Sequence, residues 1–218
     1  GKYLWLPFDD GDALLAHLGM SGQFRVDPIG TELLRNTRVI LTLDDGSELR
    51  FVDQRMFGGL SLSPGGADFP PEYAHVALDP FDADFDIEAV AAKMRTKTSA
   101  IKRLLLDQGL VSGFGNIYVD ETLWRARLHY LTPANTLDQA TVVDLLRQGT
   151  QVMGEALLAG GTSFDSLYVH VNGESGYFER SLQAYGREDE PCSQCGELIV
   201  REPFMNRSSF FCPGCQHL

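Results

Sequence analysis

Residues 191–218 read PCSQCGELIVREPFMNRSSFFCPGCQHL and hold all four cysteines of the 218-residue chain. Cys192 and Cys195 are separated by two residues, as are Cys212 and Cys215, and sixteen residues lie between the pairs. Two thiolates at that spacing can grip one metal ion from a single tight turn. Two such turns supply a tetrahedral sulfur set of the kind that suits zinc. Pro191, Gly196, Pro213 and Gly214 favour the sharp turns required. The runs ELIVRE and SSFFC between the pairs predict a small β-hairpin. A pair of disulfides is the competing reading. It fits a secreted domain, but there is no secretory signal and no further cysteine to staple the rest. The expectation is one structural Zn2+ with all four places filled by protein, so the metal does no chemistry itself.

Such a ribbon buries little apolar surface and depends on its metal to fold. Its function lies in what it presents. The insert offers one well-placed cation, Arg207, flanked by Asn206, Ser208 and Ser209. A planar guanidinium, an amide and two hydroxyls are phosphate-binding groups. Arg207 reads equally well as an ordinary solvated arginine.

Outward from the ribbon, the chain is 44% hydrophobic, enough for real cores beyond the hairpin. Its formal net charge of −12 argues against nonspecific binding of polyanions and leaves room for a local basic surface. No apolar run approaches membrane-spanning length. Residues 1–62 are β-rich: KYLWLPF is a short strand, ALLAHLGMSGQFRV a long one broken by Gly19 and Gly22. RVILTLDDGSELRFVD is a hairpin turning at Asp45-Gly46. These make a partial β-sandwich. Residues 63–85, rich in Pro and Gly, read as a linker. From Asp86 the apolar period becomes helical. DIEAVAAKM, SAIKRLLLDQ, IYVDETLWRARL and LDQATVVDLLRQGTQVMGEALLAG form a four-helix unit over residues 86–160. A loop-rich connector, 161–187, leads to the ribbon at 188–218. The fold class is therefore α+β and multidomain.

Three internal stretches carry candidate chemistry. SGFGNIYVDETLW runs a Gly-x-Gly turn into a helix with Asn116 at its mouth. Free amides of a first helical turn attract anions, and Asn116 adds a donor; a plain Asn helix cap explains the same residue. HLGMSG puts Met20 on a glycine-flanked turn, either as a wedge between stacked bases or as buried gap filler. DQRMFGG presents Arg55 and Phe57 together. Lys2 and His17 are further phosphate-ligand candidates, although a histidine in a strand is commonly structural.

In this order KYLWL, HLGMSG, FVDQRMFGG, GFGNIYVDE, GGTSFDSLYVHVNGESGYF, YGREDEPC and the ribbon with NRSSFFC span the chain. Together they resemble the formamidopyrimidine-DNA glycosylase family, bacterial base-excision repair enzymes related to endonuclease VIII. VNGESGYF and YGR are closer to the formamidopyrimidine branch. The resemblance implies a β-sandwich, a helix–two-turn–helix DNA-binding domain and a zinc ribbon. It also implies a bifunctional glycosylase and abasic-site lyase that removes oxidised purines such as 8-oxoguanine and formamidopyrimidines from double-stranded DNA. It further implies a cytoplasmic, nucleoid-associated monomer with no membrane partner.

By the same resemblance Lys2 contacts phosphate and moves protons in β-elimination. His17 and Asn116 hold phosphates. Arg207 grips the phosphates flanking the lesion and assists δ-elimination. Met20, Arg55 and Phe57 enter the gap left by the flipped base, Arg55 facing the orphaned cytosine. Lys97 falls near a DNA contact, Tyr185 of YGREDEPC belongs with the DNA-binding residues, and the loop around 162–178 covers the extruded base. The family's nucleophile is an N-terminal proline amine, assisted by the adjacent glutamate. The sequence opens in mid-pattern at Gly1, so the expectation is a chain without that catalytic segment: either a cropped enzyme or a DNA-binding remnant without lyase activity. Met56 stands where the family often has a second arginine, and Asn36 near a position where a histidine commonly meets DNA.

Overall fold

The computed structural model describes residues 2–161 and 178–218. The chain divides into two compact units. One comprises Lys2–Ala74 with Ala159–Glu179, the other His75–Leu158 with Arg180–Leu218. The expected covering loop, apart from Phe178, lies outside the described residues.

Among its described residues, the first unit has six strands in two antiparallel sheets. β1 (Tyr3–Pro7), β2 (Ala13–His17) and β6 (Gly59–Ser63) form one in the order β1-β2-β6. β3 (Gly22–Pro28), β4 (Thr37–Thr42) and β5 (Ser47–Asp53) form the other in the order β3-β5-β4. The β4–β5 hairpin turns at Asp45-Gly46 as expected. Gly46 takes a φ of 85°, and the Asp45 carboxylate accepts from the Ser47 amide and hydroxyl. The single broken strand expected over ALLAHLGMSGQFRV is instead two strands in different sheets. Gly19 turns left-handed at φ 57°, and the Gly22 amide bonds back to the Leu18 carbonyl at 2.8 Å, which closes a turn between β2 and β3. Phe51 is 3% exposed; its ring lies where a Cβ on Gly22 or Gly58 would fall, so these glycines admit it between the strands. Tyr73 closes this core, its hydroxyl donating to the Ala16 carbonyl at 2.9 Å.

The second unit is helical and ends in a hairpin. Its helices are α1 (Ile87–Arg95), α2 (Ile101–Leu105), α3 (Asn116–Arg125) and α4 (Gln139–Leu158). Asp86 caps α1 by accepting from the Ala89 amide. α2 is shorter than the periodicity of SAIKRLLLDQ suggests, because the Asp107 carboxylate takes the Gly109 amide into a turn. The 20-residue α4 packs on α1 and α3 and buries Val142, Leu145, Leu146 and Val152. β7 (Val200–Phe204) and β8 (Arg207–Phe211) pair antiparallel through the two-residue turn Met205-Asn206, and β8 packs on α3. Met205 adopts φ 54° there, a left-handed conformation that costs a branched or long side chain about 1 kcal/mol. No helix among the described residues is long and apolar enough to cross a membrane.

Candidate nucleic-acid interface

The sulfurs of Cys192, Cys195, Cys212 and Cys215 all lie within 4.8 Å of one another, with Cys195–Cys212 at 3.4 Å and Cys192–Cys215 at 4.0 Å. Four thiolates about 2.3 Å from a tetrahedral ion stand about 3.8 Å apart, so this donor set fits a zinc-sized cation. The chemistry agrees. Burial and its neighbouring thiols push Cys212 up to about 12, and burial likewise lifts Cys215 to about 11. Burial also works to raise Cys192, but the Trp124 indole N–H, 3.3 Å from its sulfur, and backbone amides bring it down to about 6. Without a cation such a cluster cannot be all thiolate; a bound divalent ion would ionise every member.

Arg207 opens β8, exposed, directly after the hairpin turn. What holds its strand is a buried polar network on the helices. Asn116 Nδ2 donates to the Ser208 carbonyl at 3.0 Å. Lys102 Nζ reaches the same carbonyl at 3.0 Å, Ser209 Oγ at 2.7 Å and Asp120 Oδ1 at 2.6 Å. Asp120 Oδ2 accepts the Phe210 amide at 3.1 Å. Lys102 and Asp120 are fully or nearly fully buried, at 0% and 2% exposure. Burial drives Asp120 up to about 6 against the pull of the Lys102 ammonium, and drives Lys102 down. Next to Asp120 in α3, Glu121 accepts three amides, from Gln183, Ala184 and Tyr185, at 2.8–2.9 Å. Burial raises its pKa, and the amides offset that only in part.

This arrangement removes the helix-cap reading of Asn116. Gly115, in extended conformation, is the N-cap, and Asn116 is the first residue of α3, its amide directed at the hairpin. Tyr185 is half-buried, with its ring 4.9 Å from Phe210 of β8. Lys97 follows the end of α1; its amide donates to the Met94 carbonyl and its carbonyl accepts the Asn135 amide, away from the hairpin.

The other candidates belong to the first unit. β1 pairs Tyr3 with His17, β2 pairs His17 with Gly59, and the Leu18 amide donates to the Lys2 carbonyl at 2.9 Å. Lys2, His17 and the residues leading into β6 therefore share one end of a sheet. His17 is exposed and its ring sits 4.9 Å from Tyr3. Next to it two turns, 18–22 and 54–58, meet backbone to backbone. A Cβ on Gly19 would stand 2.5 Å from the Phe57 carbonyl carbon and one on Gly58 2.8 Å from the His17 oxygen, so only glycine allows the approach. Asp53, 1% exposed, braces the pair. Its carboxylate accepts Ser21 Oγ at 2.5 Å and the Gly58 amide at 2.8 Å, while Ser21 Oγ accepts the Arg55 amide at 2.8 Å. On this base Met20 and Phe57 stand 54% and 63% exposed, and Arg55 Nη1 lies 3.9 Å from Met20 Sδ. Gap filling is excluded for Met20.

Reading the residues one by one missed Lys102, Asp120, Glu121 and Asp53. A signal existed in IYVDETLW, where two acids sit inside an otherwise apolar helical stretch, and in the lysine of SAIKRLLL at a core position.

Two family models match the chain. That of the formamidopyrimidine-DNA glycosylase N-terminal domain covers residues 1–60 and that of the formamidopyrimidine-DNA glycosylase H2TH domain residues 76–167. Among curated relatives, the formamidopyrimidine-DNA glycosylase of a Nocardioides species is 61% identical over 99% of this chain and 74% of its own length. That of Streptomyces coelicolor is 58% identical over 99% and 77%. The solved structure of Lactococcus lactis Fpg (MutM) with DNA containing N7-benzyl-Fapy-dG superposes with a TM-score of 0.89 at 32% identity, covering 100% of this chain and 80% of that one. The L. lactis enzyme on DNA containing an abasic site gives 0.87 at 31%, with the same coverage. With two sheets, four helices and a four-cysteine hairpin in this order, and relatives this similar along the whole of its length, the chain belongs to the formamidopyrimidine-DNA glycosylase family.

Proposed function

We propose that the protein acts in base-excision repair of duplex DNA as a glycosylase and abasic-site lyase on oxidised purines, with 8-oxoguanine and formamidopyrimidines as its substrate class. The observation that carries the reading is the exposed set Met20, Arg55 and Phe57, held on two turns that glycines and a buried aspartate lock together. A long apolar side chain, a cation and an aromatic ring left in water at one rigid point suit insertion into a base stack. There they replace the contacts of an extruded nucleotide. Extrusion costs a few kcal/mol of unstacking, and a damaged pair lowers that cost.

In this reading Asn116 and Arg207 hold backbone phosphates, the hairpin being the rigid mount that Arg207 needs. Lys2 and His17 do the same from the end of the first sheet. The four cysteines hold one structural Zn2+. The family's chemistry begins with a secondary amine attacking C1′, so that the base departs and a Schiff base forms. Abstraction of the C2′ proton then expels the 3′ phosphate, and a second elimination expels the 5′ phosphate. To that reaction this chain's own residues contribute grip, insertion and the placement of cations at the leaving phosphates.

Binding is therefore the test. The protein is titrated with a duplex containing a tetrahydrofuran abasic-site analogue opposite cytosine and with the undamaged duplex. Tighter binding to the lesion duplex is expected, weakened about 10- to 100-fold by Arg207→Ala through loss of a charge-assisted bond. Equal affinity for the two duplexes would overturn the proposal.

A further inference from the structure

Arg38 owes its position to an irregularity in β4. The strand pairs Thr37 with Val52 and then Val39 with Phe51, so the register slips at Arg38. A bulge of this kind bends its strand and raises the local twist. Here the guanidinium lies at the end of β5, where Nε donates to the Asp53 main-chain carbonyl at 2.8 Å. Asp53 is the root of the turn carrying Arg55 and Phe57, and its amide in turn donates to the Asn36 carbonyl at 2.9 Å. Arg38 is thus fixed edge-on to the inserting turn through one of its five N–H donors, with both terminal amino groups left over.

The electrostatics separate this arginine from its neighbours. In the same sheet Arg25 is paired with Asp27, and Arg50, almost wholly buried, with Asp27 and Glu48. Arg38 is exposed and, among the described residues, forms no ion pair. In a chain of net charge −12, an arginine ordered by a neutral carbonyl and not by a carboxylate keeps its full charge for an outside anion. Met56, beside Arg55 on the turn, is 68% exposed and brings no charge of its own.

We propose that Arg38 is a further DNA contact, a cation that takes a backbone phosphate next to the point where Met20, Arg55 and Phe57 enter the duplex. This rests on the reading of those turns as inserting into DNA. Arg38 works by position and charge alone and reads no base, so it strengthens binding to damaged and undamaged duplex alike.

The experiment measures affinity of the wild-type chain, Arg38→Gln and Arg38→Lys for the tetrahydrofuran duplex and its undamaged counterpart across a salt series, with melting temperature as a control for folding. Removing one phosphate contact is expected to lower the slope of log K against log salt by about 0.9 and to weaken binding about fivefold at 0.15 M salt in Arg38→Gln, on both duplexes. Arg38→Lys is expected to keep the wild-type slope. An unchanged slope in a normally folded Arg38→Gln would overturn the inference and leave Arg38 as a pin for the turn. Should Arg38→Gln melt early, a reduced slope in a stable Arg38→Lys would overturn it too. A wild-type chain indifferent to the lesion removes the inserting turns themselves, and the Arg38 proposal falls with them.

Discussion

Asp53 lies beneath the turn that carries Arg55 and Phe57, and its carboxylate accepts from Ser21 and Gly58. Burial works to raise its pKa. The Ser21 hydroxyl and the amides of Gly58, Met56 and Arg55 outweigh that and hold it below the ordinary value of 3.8. A carboxylate with a depressed folded-state pKa stabilises the fold above its unfolded pKa. That contribution is lost as pH falls through the folded value. Asp53→Asn is expected to cost about 1–3 kcal/mol at neutral pH by leaving buried donors poorly satisfied. The gap to wild type should narrow as pH falls through the depressed folded-state value, where the aspartate itself becomes protonated; denaturant unfolding across an acid pH series checks this. Met20, Arg55 and Phe57 were legible as exposed residues on turns because adjacent glycines mark where a chain bends. Asp53 was not, since its partners Ser21 and Gly58 converge only after β3 and β5 have paired. Asn116 was half-legible: the helix start showed, but the carbonyl it serves lies 92 residues away.

At the level of elements, the terminal hairpin is fastened to α3 and α2 by a buried polar network as well as by apolar packing of Phe204, Phe210 and Phe211. Lys102 bonds Asp120, Ser208 and Ser209 at once, out of contact with water. Removing one member of a buried ion pair strands the other, which costs about 3–5 kcal/mol. Lys102→Met is expected to lose that much in denaturant unfolding, and Lys102→Met with Asp120→Asn to recover part of it. Asn still accepts the Phe210 amide and carries no stranded charge. Strand and helix types were readable from alternation and from the 3.6-residue period, including the Asp45-Gly46 hairpin. The division of residues 13–28 between two sheets was not, because alternation looks the same on either side of a turn and only the left-handed Gly19 reveals the break. Nor could period alone show that α3 buries Val119 through Trp124 without interruption, acids included.

Across the whole molecule, an acidic chain meets a polyanion through a few placed cations, so salt should govern its affinity by a small number of contacts. The four-cysteine site extends this dependence on fixed geometry to the far end of the chain. Removal of the metal by a chelator is expected to loosen the hairpin and with it the mount of Arg207. The spacing of the cysteines made this site plain from sequence; the indole that touches one of its sulfurs could not have been foreseen from a position 68 residues distant. That contact has an optical consequence. The protein has two tryptophans: Trp5 is 37% exposed, whereas Trp124 is 7% exposed with its N–H on Cys192. Trp124 is thus a built-in fluorophore at the four-cysteine site. Chelation should shift its emission to longer wavelength as water reaches the ring, while Trp5→Phe leaves that shift intact. Emission unchanged by chelation would show a hairpin that stands without its metal.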